Sequence, residues 1–264
     1  MSVQVHSDEF KKWIASEDIF DIDIWWDPAF DEGFVTFDNF EKQMLAYAEY
    51  GITSGIISAM DGKNFDYIYA NNQLAELLPK VPGFYGCMTL VPEVAYCEDK
   101  GEAYIRSLKD KGFVASRMFP KTYTHSMQEY TIGPLLDTLE KLGIPLMIWH
   151  VECTFDDFDR ICANHPNLNV IVESHDRKLL YHARDYVGLM RKHKNFFVET
   201  HNLILFNEFK TLDDFGCSSQ LIYGSDFPYM TPHFSLYPIK EADISDEKKR
   251  NILAGTARGI FPIE

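Results

Sequence analysis

The chain has 264 residues and a formal charge of −15, from 40 acidic and 25 basic side chains. Apolar residues make up 46% and aromatics 14%, enough to fill a large core, which excludes a disordered chain. No basic stripe offsets the acidic balance, which argues against a nucleic-acid partner, and no apolar run approaches membrane-spanning length.

A first helix is expected where Ser7 precedes Asp8 and Glu9, with Phe10, Trp13 and Ile14 on one apolar face. Short apolar runs then alternate with helical stretches. The runs expected as strands cover 19–26, 52–58, 84–90, 113–119, 145–150, 169–174, 196–200 and 221–224. Helices are expected over 39–50, 64–78, 100–111, 132–142, 155–165, 178–191 and 203–209, with a last one after Ser245. Glycines mark several helix exits, as at Gly51, Gly112 and Gly143. Eight strand–helix repeats without a linker imply an α/β protein. Its expected form is a single (β/α)8 TIM barrel over 1–264, with a short N-terminal helix and a C-terminal helix. A doubly wound open sheet shares the alternation, but no Gly-rich phosphate loop follows the first strand.

Polar residues gather where the apolar runs stop, which is the end of a barrel that carries its chemistry. In the first run, period-two alternation places Ile22, Ile24 and Trp26 on one face and Asp21, Asp23 and Trp25 on the other, towards the interior. Two carboxylates facing inward require a partner or a cation. Asp21 is read mainly as a loop-holding residue and Asp23 as a functional one. The fourth run carries Arg117, with Lys121 nearby. Arg117 suits either a clamp on a substrate carboxylate or an internal salt bridge with Asp21 or Asp23. The fifth and sixth runs end at His150 and His175, each in phase with a Glu, and the eighth stops at Asp226 in Gly224-Ser225-Asp226-Phe227-Pro228. Imidazole and carboxylate suit a zinc-type ion and also serve as base and acid. Glu199 and His201 at the seventh run are read as lining the pocket. Tyr123, His125, Phe227, Tyr229 and His233 are expected on loops over the mouth.

At these residues the chain resembles the amidohydrolase-related (amidohydrolase 2) family, in the branch of metal-dependent hydrolases and aminocarboxymuconate-semialdehyde decarboxylase. Arg117 and Pro120 match its fourth strand, His150 its fifth and His175 its sixth. Gly224-Ser225-Asp226 with Pro228 matches its eighth. The resemblance implies that His150 and Asp226 ligate metal and that His175 holds water or substrate. The departure is in the first strand, where Asp23 and Trp25 replace both histidines of the family's HxH, and Trp has no lone pair for a metal. Asp23, His150 and Asp226 remain as a three-ligand site for one divalent metal, Zn or Mn, or the site holds none.

The leading expectation is a hydrolase of a small carboxylated amide, ester or lactone with an altered or absent metal site. Asp226, His175 and Arg117 are its catalytic candidates, and Arg117, Lys121, Trp25 and His201 its substrate contacts. The alternatives are a metal-independent lactonase, a decarboxylase of a small unsaturated or aromatic acid, and a non-catalytic metabolite-binding barrel. The partner is a small-molecule substrate, with a homodimer expected from the resemblance. Five cysteines without metal spacing, and a polar, acidic stretch from Met1 to Trp13, lead to the expectation of a reduced, cytoplasmic protein.

Overall fold

The computed structural model of the chain describes residues 8–28, 39–175, 179–205 and 207–263. Eight strands are each too short to bury an apolar face alone, so they pair side by side: β1 (Asp21–Trp26), β2 (Gly55–Ala59), β3 (Phe84–Thr89), β4 (Phe113–Arg117), β5 (Leu146–Trp149), β6 (Val170–Glu173), β7 (Phe196–Glu199) and β8 (Leu221–Ile222). Every pairing is parallel and follows chain order. The barrel is brought round by backbone bonds from Ile22 N–H to the Tyr223 carbonyl (3.1 Å) and from Trp25 N–H to the Phe227 carbonyl (2.7 Å). Helices form the outer layer, as the alternation predicts. The first helix runs Asp8–Ser16; the expected cap at Ser7 and the start of the 178–191 helix at Lys178 lie outside the described residues.

The last helical segments, from Asp246 to Ile260, plug the amino end of the barrel. Ala254, Ala257 and Phe261 pack there against Phe20, Ile22, Ile56 and Ile222. The residues that pack there are apolar, and the buried ionic residues gather at the opposite end. No described helix is long and apolar enough to cross a membrane.

One expectation about the first strand is corrected. Asp21 does not face the interior with Asp23. The pairing of β1 with β2 shifts register between Asp21 and Ile24, an irregularity that puts Ile22 in the interior layer and turns Asp21 outward beneath the helix Phe40–Ala48. There Tyr47 Oη donates to Asp21 Oδ2 (2.8 Å), and the backbone N–H groups of Ser225 and Asp23 donate to Oδ1, both at 3.0 Å. Burial pushes the Asp21 carboxyl up to about 7, and the three donors oppose it. Asp21 thus ties β1 to the segment after β8. Tyr47→Phe leaves Oδ2 buried without its donor and is expected to cost about 1–3 kcal/mol, read as a lower midpoint in urea. An unchanged midpoint would show that this bond contributes nothing.

Candidate active site

Beyond the shift, strict alternation governs which side chains meet at the carboxyl end. β1 sends in Asp23 and Trp25. β4 contributes Arg117, with Phe119 above it; β5 contributes Trp149, β6 Glu173 and His175, β7 Glu199 and His201. Asp226 follows β8 with φ +58°, a left-handed turn that an aspartate tolerates.

The lower tier of this set is ionic. Arg117, fully buried, donates from Nη2 to Glu173 Oε1 (2.7 Å) and to Asp23 Oδ1 (3.3 Å). His201 Nδ1 meets Glu199 Oε2 at 2.5 Å and lies 3.6 Å from Asp23 Oδ2, while its Nε2 is 3.8 Å from Asp226 Oδ2. Asn202 Nδ2 approaches the same Nε2 at 2.8 Å. Gly224 has a steric reason: a Cβ there would come within 2.5 Å of Glu199 Oε1, so only glycine lets that carboxylate stand against the eighth strand.

The upper tier is aromatic. Trp25 and Trp149 pack at 5.0 Å between ring centroids, with Phe119 5.1 Å from Trp149. The Arg117 guanidinium carbon lies 4.1 Å from the Trp25 ring centre, so the indole covers the buried cation. On its outer side Trp149 stacks on His175, at 3.5 Å and 8° between planes. Above that stack opens a cavity of about 320 Å³ lined by Lys63, Lys121, Thr122, Trp149, Val151, Glu152 and His175.

A family model described as "Amidohydrolase" matches residues 26–263, nearly the whole chain. The chain belongs to the amidohydrolase family. No curated protein gives a significant sequence match to it. Among solved structures it is similar to 5-carboxyvanillate decarboxylase from Novosphingobium aromaticivorans, complexed with manganese and a nitrobenzoic acid. The identity is 14%, 94% of this chain and 97% of that one are covered, and the TM-score is 0.73. It is also similar to 2,6-dihydroxybenzoate decarboxylase from Rhizobium (15% identity, 92% and 98% covered, TM-score 0.70). A third is dihydroxybenzoic acid decarboxylase from Polaromonas sp. JS666 with bound manganese (16%, 92% and 96%, 0.66). At these identities the likeness establishes the shared barrel.

The structure gathers Asp23, Arg117, His201 and Asp226 of this amidohydrolase-family barrel into one cluster and adds Glu173 and Glu199. His150 is not among the donor atoms that converge within this cluster, although its charge would still be felt by His201. Met147 and Trp149 occupy the inward phase of β5, so His150 turns out, its Nδ1–H donating to the Glu173 carbonyl (3.2 Å) and its ring 5.5 Å from His182. Burial lowers its pKa to about 4, so the ring is neutral. Arg117 and Trp25 have no exposed area, whereas Lys121 and His175 line the cavity. Of the loop aromatics, Tyr123 and Tyr229 pack on the aromatic tier, whereas Phe227 and His233 turn outward against Tyr47 and Phe10.

Four carboxyl groups, Asp23, Glu173, Glu199 and Asp226, thus face two cationic side chains, Arg117 and His201. Fully ionised, the cluster has two negative charges in excess. Burial therefore pushes Glu173 and Asp226 well above the usual carboxylate range, and Glu199 up as well. For His201 burial opposes the charge, but Glu199, Asp226 and Asp23 outweigh it and lift the imidazole to about 10. The same excess fits a divalent cation. Donor atoms of Asp23, Glu199 and His201 lie within 4.8 Å of one another, and Asp23 Oδ2, Glu173 Oε2 and Asp226 Oδ1 are buried without hydrogen-bond partners. An oxygen-rich set of this kind suits Mn or Mg better than Zn.

The signal for Glu199 and His201 was present in the sequence: two polar residues in phase at the end of the run Phe196-Phe197-Val198. Lys63 carried no such mark, because it lies in the short helix Asp61–Asn64 after β2, a stretch not expected to be helical before residue 64.

Proposed function

We propose that this chain is a lyase that removes CO2 from a small planar carboxylic acid, with Asp226 as the proton donor. The observation that carries the reading is the exposure of Asp226. Within the ionic cluster Asp23, Arg117, Glu173 and His201 are sealed and Glu199 is 1% exposed, whereas Asp226 retains 6% at the rim. A carboxyl whose pKa burial raises, and which is the least sealed of the cluster, is placed to give a proton to carbon. Hydrolysis would require the same group to begin as a base, against that shift. The solved relatives that act on carboxyvanillate and dihydroxybenzoates support the same choice.

In this scheme the planar acid lies on the open side of the His175 ring, which the stack on Trp149 holds flat and which excludes water from one side of it. Asp226 transfers its proton to the carbon bearing the carboxylate. The C–C bond then breaks, CO2 departs, and the electron pair of that bond returns to the ring or chain. Asp226, now a carboxylate, is reprotonated from water at the rim. Arg117 does not touch the substrate; it holds Asp23 and Glu173 in place, and Glu199 orients His201. A divalent cation held by Asp23, Glu199 and His201 would supply Lewis-acid polarisation of a substrate oxygen.

A second reading, hydrolysis of a carboxylated ester, amide or lactone, rests on the 3.8 Å approach of His201 to Asp226, a pair able to activate water once Asp226 is ionised. One assay separates the two. Hydroxybenzoates and conjugated acids incubated with the protein in D2O are expected to release CO2 and carry one deuterium at the vacated carbon. Ester or lactone opening with every carbon retained would establish the hydrolase instead. Binding without either product would mark a non-catalytic barrel and overturn both.

A further inference from the structure

Arg117 is unavailable to hold an acidic substrate, because it is sealed under Trp25 and shared by two carboxylates. The cluster below the mouth is itself rich in carboxyl groups. Two other basic side chains, Lys63 and Lys121, line the cavity. Lys63 Nζ lies 5.4 Å from the centre of the Trp149 ring, and Lys121 stands on the same wall.

We propose that Lys63 and Lys121 form a binding subsite for a second anionic group of the substrate, remote from the carbon that reacts. Three observations support it. Neither ammonium has a carboxylate partner among the described residues, although lysines elsewhere are paired at 2.6 Å, as in Lys80 with Glu41, Lys141 with Glu102 and Lys192 with Asp159. The carboxylate that lines the same cavity, Glu152, is committed: it accepts from Lys121 N–H (2.8 Å), Thr122 N–H (3.0 Å) and Thr122 Oγ1 (2.8 Å), which fixes the loop carrying Lys121. The same cavity is lined by the flat Trp149–His175 stack, and the His175 ring offers a planar face.

The chemistry of CO2 loss decides which anion they hold. An ion pair to the departing carboxylate would be strongest before the reaction and lost as neutral CO2 forms, so it would stabilise the ground state and slow the step. An ion pair to a second carboxylate persists throughout and only improves binding. The substrate class is accordingly a planar acid with two anionic groups. This rests on the decarboxylase reading.

Isophthalate and benzoate are the probes, titrated calorimetrically into the full chain. The protein is expected to bind isophthalate about tenfold tighter than benzoate, as two partly exposed ion pairs allow. The Lys63→Ala/Lys121→Ala double variant is expected to lose that preference, and Lys63→Arg/Lys121→Arg to retain it. For any dianionic acid turned over, the loss is expected in KM and not in kcat. Equal affinity of the two acids, no binding of either, or a preference that survives the double alanine variant overturns the subsite. Turnover of a monoacid without any isophthalate preference would remove the subsite and leave the decarboxylase standing. Lysine-dependent isophthalate binding without CO2 release from any acid would do the reverse.

Discussion

Manganese(II) titrated into metal-free protein is expected to occupy one site, and Glu199→Gln to weaken it at least about a hundredfold. Even residues that only orient a metal ligand cost 10–100-fold when changed, so a ligand should cost no less. The expectation follows from charge and phase together. A dication would offset the excess of buried carboxyl groups. The donors that converge are Asp23 from β1 with Glu199 and His201 from β7, within 4.8 Å of one another. Asp23→Asn should weaken binding similarly, because it removes one of those charges. His150→Ala should change it less than about twofold, since that imidazole is turned towards the Glu173 carbonyl and His182. Calorimetry and the electron paramagnetic resonance of bound manganese read all three. If His150→Ala abolished binding while Glu199→Gln left it intact, the cation site would be the one expected from the family motif.

That contrast shows where the sequence could be read and where it could not. The barrel was legible because strand and helix periodicities alternate eight times and each strand stops at a polar residue. The carboxyl-end location of Asp23, Arg117, Glu173, His201 and Asp226 follows from the same stops. Phase was harder. In Leu146-Met147-Ile148-Trp149 both faces are apolar, one packing on helices and the other filling the barrel, so alternation carries no mark of which side is in. The eye therefore settles on His150, the first polar residue, although Trp149 points inward. In β1 the polar marks exist, but the shift between Asp21 and Ile24 sends two aspartates of equal parity to opposite faces. Such a shift is set by pairing with β2 and by closure onto the segment after β8, both remote in sequence. Arg117 was read with its clamp and salt-bridge roles open; what separates them is the Trp25 indole laid over the guanidinium, a contact between residues 92 positions apart.

Arg117→Met is expected to destabilise the fold by about 3–5 kcal/mol, the usual result of removing one partner from a buried ion pair. Methionine fills much of the volume beneath Trp25, so the loss comes from charge and not from a cavity. Asp23 and Glu173, both without exposed area, would be left facing each other with no cation between them. For a chain of this size the change corresponds to a fall of roughly 10 °C in midpoint. Adding Glu173→Gln should recover part of it, because the uncompensated carboxylate is then gone while the side-chain shape remains. Urea unfolding of the two single variants and the double variant gives the coupling between the residues. A coupling near zero, with Arg117→Met as stable as the parent, would mean that Arg117 does not hold the cluster together. A large coupling would mean that it is a structural counter-ion whose charge keeps the carboxyl groups in register.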